Sequence, residues 1–142
     1  MAPRWIRIFL QIGGIFNLVM GIIFFNNRLL ANFFQLALWL EKIIFSRTGA
    51  LPFPQNPAHL LLIHGFGAGA MILGATLLYS AREPVRFLPF ILVDALGRLL
   101  FGTMMVIYVF RYSLLFMLLP FAAIELGLAV IYIIVCWKLS ER

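Results

Sequence analysis

Two opposite charges lie near the centres of two long apolar stretches of this chain. Arg98 falls in the middle of residues 87–110, and Glu125 falls in the middle of residues 114–137. A charged side chain at the centre of a bilayer costs about 2.5–3.5 kcal/mol on insertion scales, so membrane helices keep such charges paired and turned away from lipid. We therefore predict that Arg98 and Glu125 form an ion pair inside a helical membrane protein.

Composition places the chain among integral membrane proteins. Hydrophobic residues make up 64% of its 142 residues and charged residues only 11%, which lies outside the range of soluble domains. Residues 1–142 are predicted to form a single transmembrane domain, with no room for a separate soluble domain. The net charge of +6 comes from basic residues scattered singly near the ends of apolar stretches, so nucleic acid is not an expected partner.

Four stretches are long and apolar enough to span a bilayer, which takes roughly 20 residues of helix. They cover about residues 8–25, 58–79, 87–110 and 114–137. Residues 32–45 are amphipathic and carry Glu41 and Lys42, so they predict a helix that lies in the membrane interface. The expected fold is all-α: an integral membrane four-helix bundle with an interfacial amphipathic helix between spans 1 and 2. Pro120 is expected inside the last span, where it would kink the helix.

The distribution of basic residues favours termini on the cytoplasmic side. An even number of spans places both termini on one side of the membrane, and Lys and Arg are enriched on the cytoplasmic side. The side with the termini holds Arg4, Arg7, Arg82, Arg86, Lys138 and Arg142, and the other side holds Arg28, Lys42, Arg47 and Arg111. We expect a multi-pass protein of the inner cell membrane, in contact with membrane lipids.

Polar residues of three spans are predicted to meet at one depth in the membrane. Asn17 lies near the middle of the first span, at the height of Arg98 and Glu125, and Asp94 lies one helical turn from Arg98. One guanidinium can bind two carboxylates, and the trio then carries one positive and two negative charges. Two interpretations stay open: a network that sets helix register, or a site for a proton, a cation or a polar head group. His64, nearer the opposite membrane face, is a further candidate for such a site.

Small residues mark the faces on which helices are expected to pack. Gly65 and Gly69 form a GxxxG pair on the second span, and Gly74 extends the run of small residues. Because small residues let two membrane helices approach closely, we predict that Gly65, Gly69 and Gly74 are helix-packing positions.

No metal, cofactor or catalytic residue is predicted. His59 and His64, the only histidines, are five residues apart, so they do not share a helix face as a chelating pair would. Cys136 is the only cysteine, which excludes an intrachain disulfide and a thiolate metal site. The absence of a recognisable reaction motif favours a non-enzymatic protein.

The order of motifs resembles a group of small bacterial membrane proteins. The first span contains GGIFNLVMGIIFF, the Gly-rich second span ends in LLYSAREPVRFLP, and DALGRLLFG follows in the third. This order resembles the DoxX-like proteins, including their BphX-like branch, over most of the chain. The resemblance implies a four-helix membrane fold, and it implies neither an activity nor site residues.

Three functions stay open for such a chain. A non-enzymatic accessory or stabilising subunit of a larger membrane complex is favoured, because the chain is small and its loops are short. One alternative is a small homodimeric proton-coupled carrier that uses Glu125 and Arg98. A second alternative is a lipid- or quinone-handling membrane protein. Expected partners are therefore membrane lipids and either other membrane-protein subunits or a second copy of the chain.

Overall fold

The computed structural model describes residues 3–46, 54 and 56–141. The helices in these residues are α1 (Arg4–Phe25), α2 (Asn27–Phe45), α3 (Pro57–Ser80), α4 (Leu88–Tyr112) and α5 (Leu118–Ser140). Within the described residues, α1, α3, α4 and α5 have the length and apolar composition needed to cross a membrane. In each of these four helices, at most 28% of the most apolar 18-residue stretch is buried. Most apolar side chains therefore face outward, as in membrane spans. The predictions of an all-α fold and of four long apolar helices are confirmed.

Two helix boundaries differ from the predicted ones because local chemistry decides them. α2 begins at residue 27 rather than 32, because the Asn26 side chain accepts hydrogen bonds from two N–H groups of the first turn, at 3.0 and 3.1 Å. Asparagine is a preferred residue at this capping position. α5 begins at residue 118 rather than 114, so Pro120 lies in its first turn. Backbone N–H groups in the first turn have no acceptor inside the helix, so a proline there removes no helical hydrogen bond. Pro120 thus lies inside the last helix, as predicted, but at its start, where the physical reason for the predicted kink no longer applies.

The close approach of α1 and α3 depends on glycines in both helices. A Cβ added to Gly74 would lie 2.7 Å from the carbonyl oxygen of Gly14, and one added to Gly67 would lie 2.8 Å from the α1 backbone. By contrast, a Cβ on Gly65 or Gly69 would have no neighbour within 4 Å. The helix contact thus uses Gly74, which was predicted, together with Gly67. Gly65 and Gly69 were also predicted, but they do not lie on the face of α3 that meets α1.

The half of the molecule nearer the two chain ends has a closely packed apolar core. α4 and α5 pack antiparallel there, as the contact of Leu88 with Cys136 shows. Large buried side chains from all four long helices fill this half: Ile6, Leu10, Leu77, Ile91, Tyr132 and Val135. Because helices in lipid associate through van der Waals packing and not through the hydrophobic effect, the contacts of these side chains hold the four helices together on one side of the polar residues.

α2 contacts the other half through aromatic rings and one buried acid. The ring of Phe33 lies against Phe24 of α1 and Phe121 of α5, with centroids 5.7 and 5.5 Å apart. Glu41 is 2% exposed, and its carboxylate accepts a hydrogen bond from the Met117 N–H at 2.8 Å. Because Met117 is the N-cap residue of α5, the acid satisfies a free N–H and opposes the positive end of the helix dipole. The location of α2 in a membrane interface stays a prediction.

Candidate functional site

A buried charge network lies between α1, α4 and α5, with Arg98 at its centre. The Arg98 side chain is only 4% exposed. Its Nε donates to Asp94 Oδ2 at 2.7 Å, and its Nη1 donates to Glu125 Oε2 at 2.7 Å. Its Nη2 donates to Asn17 Oδ1 at 2.7 Å and more weakly to the carbonyl oxygen of Gly13 at 3.4 Å. One guanidinium therefore joins two carboxylates, an amide and a backbone carbonyl.

Helix spacing and direction bring these side chains together. Asp94 and Arg98 are one turn apart on α4, where side chains four residues apart are neighbours. Glu125 arrives from the antiparallel helix α5, and Asn17 arrives from α1. The Asn17 amide also donates to Asp94 Oδ1 at 3.3 Å, so α1 is bound to both members of the α4 pair. The structure thus places all four residues of the predicted polar layer in one network.

Tyr132 closes the network on the side of the packed core, and the sequence analysis missed it. Its ring lies 5.6 Å from the Arg98 guanidinium carbon, a distance at which an aromatic face attracts a cation. Its hydroxyl donates to the carbonyl oxygen of Phe9 at 3.2 Å. A Cβ on Gly13 would overlap that hydroxyl, so any larger residue there would displace the Tyr132 side chain. The available signal was spacing, since Tyr132 follows Glu125 by two helical turns on α5.

His64 does not join the network. Its Nε2 forms a hydrogen bond of 2.9 Å with Asn27 Oδ1, at the start of α2, and its ring lies 6.0 Å from that of Phe25. Both contacts are near the end of α1, away from Arg98. The inclusion of His64 among the residues of the polar site is therefore wrong, and the histidine instead connects α3 to α2.

Two adjoining cavities lie beside the network. The first, here called the polar cavity, has a volume of about 270 Å³ and is lined by Asn17, Asp94, Arg98 and Glu125 together with apolar residues of α3 and α4. The second, the aromatic chamber, has a volume of about 260 Å³ and extends towards α2. Its ring-bearing lining comprises Phe16, Phe24, Phe33, Phe34, Phe66, Phe101 and Phe121. Asn17, Phe66, Ala70, Phe101 and Glu125 line both cavities, so the two volumes meet at these residues.

Glu125 is the charged residue at the junction of the two cavities. Its side chain is 12% exposed, against 4% for Arg98 and 2% for Asp94. Only Oε2 of Glu125 has a hydrogen-bond partner among the described residues, which is Arg98. The second carboxylate oxygen, Oε1, is therefore available to a ligand that donates a hydrogen bond.

The polar cavity opens between α3 and α4, which contact each other much less than α1 contacts α3 or α4 contacts α5. Gly69 of α3 and Gly97 of α4 both line it. A Cβ on either glycine would have no neighbour within 4 Å, so the two positions leave space at the opening. The weakly contacting helices α3 and α4, with these two glycines, thus border the polar cavity beside Glu125.

No family model, no curated protein and no solved structure matches the chain. The resemblance to DoxX-like proteins stays a prediction. Among the described residues, no group of three or more His, Cys, Asp or Glu side chains is placed to hold a metal ion.

Proposed function

We propose that this chain is a polytopic inner-membrane protein, with cytoplasmic termini, that binds an apolar ligand with a polar head between its helices. This is the lipid- or quinone-handling function that the sequence analysis left open. The observation that carries the proposal is the junction at Glu125, where the aromatic chamber meets the polar cavity. An apolar ligand body fits the chamber, while its head group reaches a carboxylate oxygen that has no hydrogen-bond partner among the described residues.

The lining of the two cavities is typical of ligand sites. Small-molecule pockets are mostly apolar and aromatic, occupy about 300–1,000 Å³, and contain a few well-placed polar groups. The polar cavity and the aromatic chamber, at about 270 and 260 Å³, meet this description when they act as one site. The polar groups are also held rigidly, because Arg98 binds Asp94, Glu125 and Asn17 at once.

Two glycines of α3 provide a matched test of this proposal. Gly65 and Gly69 are one turn apart, and both have free space where a side chain would be. Of the two, Gly69 lines the polar cavity and Gly65 lines neither cavity. Replacing Gly69 by leucine places a side chain in the opening, whereas the same change at Gly65 leaves the site untouched.

The assay is native mass spectrometry of protein released from its own membrane in mild detergent. We expect the wild-type chain and Gly65→Leu to carry a small bound ligand, and Gly69→Leu to lose most of it. Circular dichroism and elution volume verify that both variants are folded. If Gly69→Leu and Gly65→Leu retain the same ligand in the same amount, the cavity beside Glu125 is not the binding site.

An accessory or stabilising subunit of a larger membrane complex is a second candidate function. The outward faces of the long helices favour it, because α3 alone exposes Leu61, Leu62 and Ile72 to 71%, 72% and 68%. Such faces suit helices of a partner as well as lipid tails. The same mass spectra test this candidate, since a larger protein bound at fixed stoichiometry supports it and a chain bound only to lipid contradicts it.

A further inference from the structure

We infer that the ligand is a lipophilic cation whose head group donates hydrogen bonds, such as a protonated amine on an apolar body. Its head binds Glu125, and its body lies in the aromatic chamber. This ligand class rests on the proposed function, because it specifies what the same site takes. Three features of the described residues carry the inference: the charge balance, the direction of the hydrogen bonds and the aromatic lining.

The charge balance of the network favours a cation. One guanidinium, Arg98, faces two carboxylates, Asp94 and Glu125, at 2.7 Å each, so the fully ionised trio has one negative charge in excess. Unbalanced charge in a medium of low dielectric constant is costly. Within the described part of the chain, Glu125 is the only charged residue that lines the aromatic chamber. A cationic head group would therefore neutralise the excess charge, whereas an anionic one would add to it.

The hydrogen bonds of the network leave a carboxylate acceptor, the Oε1 oxygen of Glu125, where the network borders the aromatic chamber. Arg98 has five N–H groups, of which four donate to Asp94, Glu125, Asn17 and the Gly13 carbonyl, and Arg98 is not among the residues that line the aromatic chamber. The Asn17 amide nitrogen also donates to Asp94. The carboxylate oxygen Oε1 of Glu125 remains, and it only accepts. An ammonium head group donates hydrogen bonds and therefore matches this oxygen, whereas a carboxylate head group would repel it.

The aromatic lining suits both parts of such a ligand. Ring faces attract cations, and they also provide a large apolar surface. Phe66 of α3 and Phe101 of α4 stand 4.9 Å apart between ring centroids and line both cavities. A protonated amine at Glu125 is therefore next to aromatic rings, while its apolar body extends along the chamber towards Phe33 and Phe121.

The depth of the site favours a free amphiphilic amine over a phospholipid. Glu125 is in the interior of α5 (Leu118–Ser140), and Arg98 is near the middle of α4 (Leu88–Tyr112). Lipid ammonium groups lie at the membrane surface, at the ends of helices that span the bilayer. A single-chain amine can instead leave the lipid phase and pass sideways between Gly69 and Gly97.

Four ten-carbon probes separate the contributions of charge and hydrogen bonding. They are decylamine, decyltrimethylammonium, decanol and decanoate, measured by titration calorimetry on the full chain in phosphatidylcholine nanodiscs. Uptake by the lipid is subtracted with Gly69→Leu in the same discs, because that variant has a filled opening. We expect decylamine to bind at least about tenfold tighter than decanol, as a charge-assisted hydrogen bond would give, with decyltrimethylammonium between them and decanoate weakest.

Two variants assign this preference to a residue. Glu125→Gln is expected to reduce the preference for decylamine over decanol to within about threefold. The matched control is Glu83→Gln, which changes an exposed glutamate whose partner is Arg86 and leaves the preference intact. The comparison of probes on wild-type protein stands without either variant, so a folding defect in Glu125→Gln does not remove the test.

Each outcome separates the ligand class from the proposed function. Saturable binding of decanol or decanoate as tight as that of decylamine overturns the cation inference and leaves the proposed function standing. Absence of saturable binding by all four probes, together with equal native ligand on Gly65→Leu and Gly69→Leu, overturns both. Discs that also contain phosphatidylethanolamine test the source of the amine: unchanged decylamine affinity supports a free amine, and competition by the lipid overturns that assignment.

Discussion

Replacing Arg98 by leucine removes the cation that holds the buried network together. Asp94 and Glu125, whose side chains are 2% and 12% exposed, would then face each other without a positive charge between them. Removing one partner of a buried ion pair costs about 3–5 kcal/mol, because the remaining charge is neither solvated nor paired. For a chain of this size each kcal/mol shifts the melting temperature by about 2–4 °C, so we expect a decrease of roughly 6–20 °C.

Thermal denaturation in nanodiscs, followed by circular dichroism, measures this loss. The first comparison is Arg98→Lys, which keeps the positive charge but has three rotatable donors in place of the planar guanidinium. Its melting temperature should fall between those of the wild-type protein and Arg98→Leu. The second comparison is the triple variant Asp94→Asn, Arg98→Leu, Glu125→Gln. Since it removes all three charges together, we expect it to recover most of the lost stability.

Two results would refute this reasoning. If Arg98→Leu melts within about 2 °C of the wild-type protein, less than 1 kcal/mol depends on the cation. If the triple variant is no more stable than Arg98→Leu, the loss comes from the missing packing of the arginine side chain, and not from unpaired carboxylates.

Two further stability predictions use the same melting assay. Gly74→Ala is expected to cost about 1–3 kcal/mol of stability by overpacking, because its Cβ would lie 2.7 Å from the Gly14 carbonyl oxygen. Gly65→Ala, with open space around its Cβ, should be neutral or stabilising by up to about 1 kcal/mol. If Gly65→Ala were the less stable of the two, α1 would not pack on the Gly74 face. Glu41→Ala removes the buried acceptor of the Met117 N–H and should cost about 1–3 kcal/mol. The neighbouring Lys42→Ala, an exposed position, is its control, and an equal loss in both variants would contradict a specific role for Glu41.

The polar network was largely predictable because few arrangements are permitted for charges in apolar helices. A guanidinium in lipid has to find carboxylates, and the acid one turn away on the same helix is always within reach. The short connection between α4 and α5 makes these helices antiparallel neighbours, which brings Glu125 to the height of Arg98. The membership of Asn17 in the network follows from its depth alone, since this residue is near the middle of α1.

The faces of the helices were not predictable in the same way. α3 and α5 are apolar on every side, so periodicity contains no signal for which side meets another helix. For this reason the GxxxG pair Gly65–Gly69 was a plausible packing face, although α1 packs on Gly67 and Gly74. The partner of His64 and the position of Tyr132 depend on the same rotations of the helices.

The sequence by itself determined the all-α class, the four long apolar helices and the members of the charge network, because hydropathy and charge act within a helix or between neighbouring helices. Tertiary structure alone decided the glycines that form the α1–α3 contact, the capping of α5 by Glu41 and the aromatic chamber beside Glu125. A cavity is the space that packed helices leave unfilled, and it depends on the rotation and spacing of all of them at once. The site proposed to bind a ligand therefore becomes visible only when α1, α3, α4 and α5 are placed together.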